Sequence, residues 1–92
     1  MNLGKVIGTV VATRKDERLV GSKLLITQPL DYEYKPNGNP FIAVDTVGAG
    51  IGEVVIYTTS GTAARLAARK LEAPIDIAIV GIVDRVDIEF IE

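Results

Sequence analysis

Five runs rich in β-branched residues, punctuated by glycine and proline, leave this chain room for only one helix. The runs are "KVIGTVVATR" (5–14), "SKLLITQP" (22–29), "FIAVDTV" (41–47), "EVVIYTT" (53–59) and "IDIAIVGIVDRVDIEFIE" (75–92). Valine, isoleucine and threonine suit a pleated, half-buried surface, so each run reads as a strand. Gly8 inside the first marks a bulge or sharp bend. In the last, apolar parity is odd at Ile75, Ile77 and Ile79 but even at Val86, Ile88 and Phe90, which predicts a bulge near Gly81. The helical stretch is "SGTAARLAARKLEAP" (60–74), with Ser60 as cap and Pro74 as stop. Ala63, Leu66, Ala67 and Leu71 lie along its apolar side. "LDYEYKPNGNP" (30–40) is dense in turn residues.

The architecture expected is all-β and a single domain over residues 1–92. It is an OB-like, partly closed antiparallel barrel of five strands, with one short helix between the fourth and fifth. Closure removes sheet edges that would otherwise pair with other chains. The helix position departs from the usual OB arrangement.

A 92-residue chain hides only roughly 60–65% of its unfolded surface. Here 48% of residues are hydrophobic and mean hydropathy is +0.30. A lone copy cannot bury that much apolar side chain, so subunit contacts are expected. No apolar run approaches the ~20 residues of a membrane span, and the start lacks a cleavage-site pattern. The chain has no cysteine, which excludes disulfides and thiolate metal sites. Net charge is −2 with both signs scattered, against a general nucleic-acid binder.

"DTVGAGIGE" (45–53) places Gly48, Gly50 and Gly52 within five positions. A dinucleotide fingerprint needs G-x-G-x-x-G ahead of a helix, whereas this spacing is G-x-G-x-G ahead of a strand. Two readings stay open on composition alone. One is a tight turn using positive φ; the other is close approach of backbone to backbone around a symmetry axis.

Catalytic chemistry finds few carriers. Without histidine, Ser22 and Ser60 cannot join a Ser-His-Asp triad. Asp45 and Glu53 flank the glycine loop as a conceivable acid–base pair, but loop amides or arginines such as Arg65 are the expected partners. Asp76, Asp84, Asp87 and Glu89 alternate along one strand, so they point to opposite faces and form no shared metal cage. No catalytic residue, metal ligand or cofactor is therefore expected. The rival reading is an OB-like module for single-stranded nucleic acid or a small ligand. It would use Tyr32 and Tyr34 as stacking platforms, yet Asp31 and Glu33 sit beside them with Lys35 the one neighbouring cation.

Three segments, "LGKVIGTVVATRKDERLVGSKLLITQPLD" (3–31), "AVDTVGAGIGEVVIYTTSGTAAR" (43–65) and "PIDIAIVGIVDRVD" (74–87), together closely resemble the EutN/CcmL family. These are pentameric vertex proteins of bacterial microcompartment shells, in carboxysomes and metabolosomes. The D-x-V-G-A-G-x-G-E and V-G-I-V-D blocks carry the resemblance, which covers nearly the whole chain apart from the 32–41 loop. The family's serine-rich S-G-S-S-A-R stretch is "SGTAAR" here, with Thr62 and Ala63 replacing serines.

The resemblance implies a structural protein with no enzymatic activity, residing in a microcompartment shell within the bacterial cytoplasm. Its implied partners are four further copies of itself and hexameric shell proteins; nucleic acid and membrane are not among them. Fivefold units let a hexagonal sheet close, through heterologous contacts whose rotation closes after five copies. Such a contact buries roughly 1,600 Å² or more. Under this reading Gly48, Ala49, Gly50, Ile51, Gly52 and Glu53 belong to the subunit contact near the axis. Ser60, Gly61 and Thr62 line the axial opening. Arg65 and Arg69, four apart on one helix face, are open to two readings: a solvated face, or a contact with an adjacent protomer or an acidic patch on a hexameric neighbour.

Overall fold

A computed structural model describes residues 1–13 and 15–91. Its elements are β1 (Asn2–Val10), a 3-10 turn (Glu17–Leu19), β2 (Lys23–Leu30), β3 (Phe41–Asp45), β4 (Val54–Thr58), α1 (Gly61–Ala68) and β5 (Ala78–Ile82). The strands close into a barrel in the order β1-β2-β3-β5-β4. Closure is complete, where a partly closed barrel was expected. The pairing also differs at one place: β3 and β5 run parallel, through Val44↔Ala78 and Asp45↔Ile79, while the other four pairs are antiparallel. A parallel pair requires a crossover, and residues 46–77, carrying β4 and α1, supply it.

β1 is the strand that bends the sheet. It pairs with β2 along its length and with β4 through Asn2–Lys5. The β1–β2 register shifts between Val6 and Gly8, placing the extra residue at Ile7 beside the expected bulge. A second shift matches Ile56 to Gly81 and Tyr57 to Ile79, leaving Val80 as the extra residue. That is the bulge the parity change predicted. Gly4 is required by crowding, since a Cβ there would lie 2.7 Å from the Thr27 Cγ2 and 3.2 Å from the Gln28 carbonyl oxygen.

The barrel interior holds Val6, Leu25, Ala43, Ala49, Val55, Tyr57 and Ile79, and the Phe41 and Tyr57 rings meet at 4.7 Å in a tilted pair. A second cluster of Val44, Ala64, Ala73, Ile75 and Ala78 lies under α1. The helix seats on alanines, which lets it approach β5 closely. Its expected apolar side is therefore corrected: Ala64 is buried and Ala68 packs on the cluster, while Ala63 and Leu66 are exposed, as is Leu71 beyond the helix.

The helix is shorter than the 60–74 stretch. It ends where Arg69 takes a left-handed conformation (φ 56°, ψ 35°). The Arg69 amide donates to the Leu66 carbonyl at 3.1 Å and the Lys70 amide to the Arg65 carbonyl at 3.0 Å, which closes the last turn. The long final strand is also corrected. Strand pairing stops at Ile82, because β4 offers no partner beyond Val54, whose carbonyl takes the Val83 amide at 2.8 Å. Residues 83–91 alternate like a strand but belong to none, and Glu92 lies outside the described residues.

Candidate functional site

The glycine loop joins β3 to β4 and is braced from inside the chain. Asp45, at the end of β3, has a side chain only 3% exposed. Its carboxylate accepts from the Val47 amide (3.1 Å) and the Ala49 amide (3.0 Å). The Lys23 ammonium lies 3.7 Å from the same carboxylate and donates to the Ala49 carbonyl at 2.5 Å. Glu53 closes the other end, its carboxylate accepting from the Gly50 amide at 2.7 Å. The Gly52 amide donates to the Val6 carbonyl at 2.7 Å, tying the loop to β1. Ala49 is buried in the barrel core, whereas Ile51 points outward at 67% exposure.

This bracing excludes a phosphate cradle. The Val47, Ala49 and Gly50 amides that would meet an anion already meet two carboxylates of this chain. Asp45 and Glu53 do accept loop amides, as expected, but the cation beside Asp45 is Lys23 and not Arg65. The three glycines have different reasons. Gly48 (φ +76°) and Gly52 (φ +92°) need the left-handed region. Gly50 does not, and a Cβ there would meet only the Glu53 carboxylate, at 3.4 Å.

Ser60 caps α1, its hydroxyl accepting from the Ala63 amide at 3.3 Å. Gly61 opens the helix beneath Arg65, with a guanidinium nitrogen 2.9 Å from where a Gly61 Cβ would stand, and Thr62 is exposed beside it. Arg65 and Arg69 do not form one helical pair, since Arg69 lies beyond the last turn. Next to it, the Lys70 ammonium donates to the Val20 carbonyl (3.2 Å) and the Ser22 hydroxyl (2.8 Å), pinning the helix end to the β2 approach.

Tyr32 and Tyr34 are exposed on a turn organised by Asp31, which accepts from the Glu33 and Lys35 amides. Lys35 lies 3.4 Å from the Glu33 carboxylate, which leaves little positive potential for a nucleic-acid strand. Asp87 pairs with Arg85 at 3.0 Å, and no three carboxylates converge among the described residues. Ile51 is legible from the sequence as an outward residue, but most of the outward apolar surface is not. Val11 (93% exposed), Leu71 (66%) and Phe90 (65%) belong to it. The one available signal was the high mean hydropathy, which carries no position.

The family model for the ethanolamine utilisation protein EutN/carboxysome matches residues 1–84. The chain is 52% identical over 87 residues to the microcompartment shell vertex protein GrpN of Rhodospirillum rubrum, covering 95% of this chain and 97% of that one. The solved structure of GrpN, a pentameric microcompartment shell protein, superposes with a TM-score of 0.86 at 49% identity, over 97% of this chain and all of the other. CcmL of Gloeobacter violaceus superposes at 0.89 with 38% identity, over 97% and 91%. The pentameric shell protein MSM0273 from the RMM microcompartment superposes at 0.80 with 29% identity, over 99% and 100%. These relatives favour a shell role over a nucleic-acid- or ligand-binding barrel.

Proposed function

The chain belongs to the EutN/CcmL family, and from that premise we propose that five copies close into a ring that caps a vertex of a bacterial microcompartment shell. The carrying observation is the likeness over nearly the whole chain to solved pentameric shell proteins. The apolar surface supports it: a chain that leaves Val11, Ile51, Leu66, Leu71 and Phe90 each more than half exposed is built to be covered. The working unit is one domain built on the barrel, and its place is the shell, within the bacterial cytoplasm. The role is geometric: no reaction is assigned to the ring, and its partners are hexameric proteins of the flat facets.

Within the ring, Gly48, Gly50, Ile51, Gly52 and Glu53 lie at the subunit contact near the axis; Ala49, expected there with them, is turned into the barrel core instead. Support comes from Gly50, which nothing in its own chain forces to be glycine, and from Ile51, which projects outward from a loop already held rigid. Ser60, Gly61 and Thr62 face the axial opening, and Arg65 and Arg69 serve contacts with an adjacent protomer or a facet protein. The test is co-expression of hexameric facet proteins with and without this chain, read by electron microscopy. Closed polyhedra should require the chain; closed shells of equal number without it would refute the vertex role.

A further inference from the structure

We propose that Asn37 is a site of spontaneous covalent modification, where the chain exchanges a carboxamide for a carboxylate with water as co-reactant. The inference goes beyond the vertex role and does not depend on it. Asn37 stands directly before Gly38 on the exposed 32–40 stretch. Among the described residues its carboxamide takes part in no hydrogen bond, and the Gly38 amide donates to no acceptor. Both reacting groups are therefore free. Gly38 has no side chain to shield its nitrogen, and its φ of +107° disfavours any residue that would bring one.

The step balances within the chain. The Gly38 nitrogen gives up its proton to water or hydroxide and attacks the Asn37 Cγ. The new C–N bond closes a five-membered imide, the bond to the side-chain nitrogen breaks, and ammonia leaves with a proton. Water then opens the ring. Opening at Cγ restores the ordinary backbone with a carboxylate side chain; opening at the backbone carbonyl routes the chain through Cβ and Cγ as isoaspartate. Nothing is oxidised or reduced. The other two asparagines lack the arrangement. Asn39 precedes Pro40, whose nitrogen carries no proton to lose. Asn2 lies in β1 opposite Tyr57, and the next residue, Leu3, is buried.

The product changes the loop. The Asn37 amide donates to the Pro29 carbonyl at 2.9 Å, and the Gln28 side chain donates to the Gly38 carbonyl at 2.9 Å and the Pro29 carbonyl at 3.0 Å. Both ties return to residues 28–29, so the methylene that isoaspartate inserts between them costs the loop one of the two. Asp31, Glu33 and Lys35 give residues 31–40 a net −1, which becomes −2, while the whole chain passes from −2 to −3. The aged chain thus presents a looser and more acidic loop.

The test holds the folded full chain, a urea-unfolded sample and the Asn37→Ser variant for weeks at neutral and alkaline pH. Charge is read by ion exchange and linkage by peptide fragmentation. The folded chain should yield one acidic species, one charge more negative, with aspartate and isoaspartate at position 37 and ammonia released in equal amount. Its rate should rise about tenfold per pH unit, as the deprotonated share of the amide does. Asn37→Ser keeps the backbone amide that Pro29 holds and should gain no charge. Chymotrypsin should cut the aged chain after Tyr34 faster than the fresh one. Asn37 left intact in the folded chain overturns the proposal, whether or not the unfolded sample reacts. A charge gained at Asn2 or Asn39 instead overturns it equally, and unchanged cutting after Tyr34 removes the loosened loop.

Discussion

The glycine loop and the C-terminal segment are both outward-facing, yet the chain treats them oppositely. Residues 46–53 are fastened by Asp45, Glu53, Lys23 and the Val6 carbonyl, so the loop has its final shape before any partner arrives. Residues 83–91 hang from the single Val83–Val54 bond and an exposed Arg85–Asp87 pair. The difference teaches where preorganisation lies. A contact near an axis has to fit without adjustment, so its ordering cost is met within the barrel. A segment with a single backbone tie is left to gain its order from whatever it meets.

The sharpest way to break this contrast is to remove the brace. Asp45→Ala strands two loop amides and leaves Lys23 without its carboxylate, so urea denaturation should show a loss of about 2–3 kcal/mol. A loss below about 0.5 kcal/mol would mean the loop needs no internal bracing. Glycine substitutions come next. Gly52→Ala must hold φ near +92° and should cost about 1–2 kcal/mol, whereas Gly50→Ala should change barrel stability by less than about 0.5 kcal/mol and act on assembly instead. Equal costs at both positions would remove the special standing of Gly50.

Arg69 sharpens the comparison from the other side. Its left-handed backbone suits glycine, so Arg69→Gly should stabilise the barrel by about 0.5–1 kcal/mol in thermal unfolding. If it also weakens shell incorporation, the arginine is retained for contact and not for fold. The smallest effect belongs to Asp16. The side-chain hydrogen bond from the Arg18 guanidinium, helped by the Arg18 amide, lowers its carboxyl from 3.8 to about 2. A depressed pKa stabilises the fold above the unfolded value, and the benefit fades as pH falls from 3.8 toward 2. Asp16→Asn should thus lower the melting temperature slightly at neutral pH and by much less at pH 2, where the carboxyl is half protonated in the fold. The same shift at both pH values would contradict the pairing.

Much of the fold was legible because strand chemistry is local. Five β-branched runs, the bulges near Gly8 and Gly81, the Ser60 cap and the single helix each follow from neighbours in sequence. The parallel β3–β5 pair was not legible, since it depends on where a long crossover lands. Nor was the helix face, because Ala64 and Leu66 compete for burial and close packing on β5 favours the smaller side chain. The last run misled because alternation specifies a strand without naming its partner, and residues 83–91 find none in their own barrel. At the loop, the G-x-G-x-G spacing does not tell the three glycines apart, whereas the backbone angles separate Gly48 and Gly52, set by φ, from Gly50.

The most direct test is the mass of the purified chain in solution by native mass spectrometry. Five subunits of 9.8 kDa give about 49 kDa, and that is the predicted species. A dominant 9.8 kDa species, or a ring of any other count, contradicts the account.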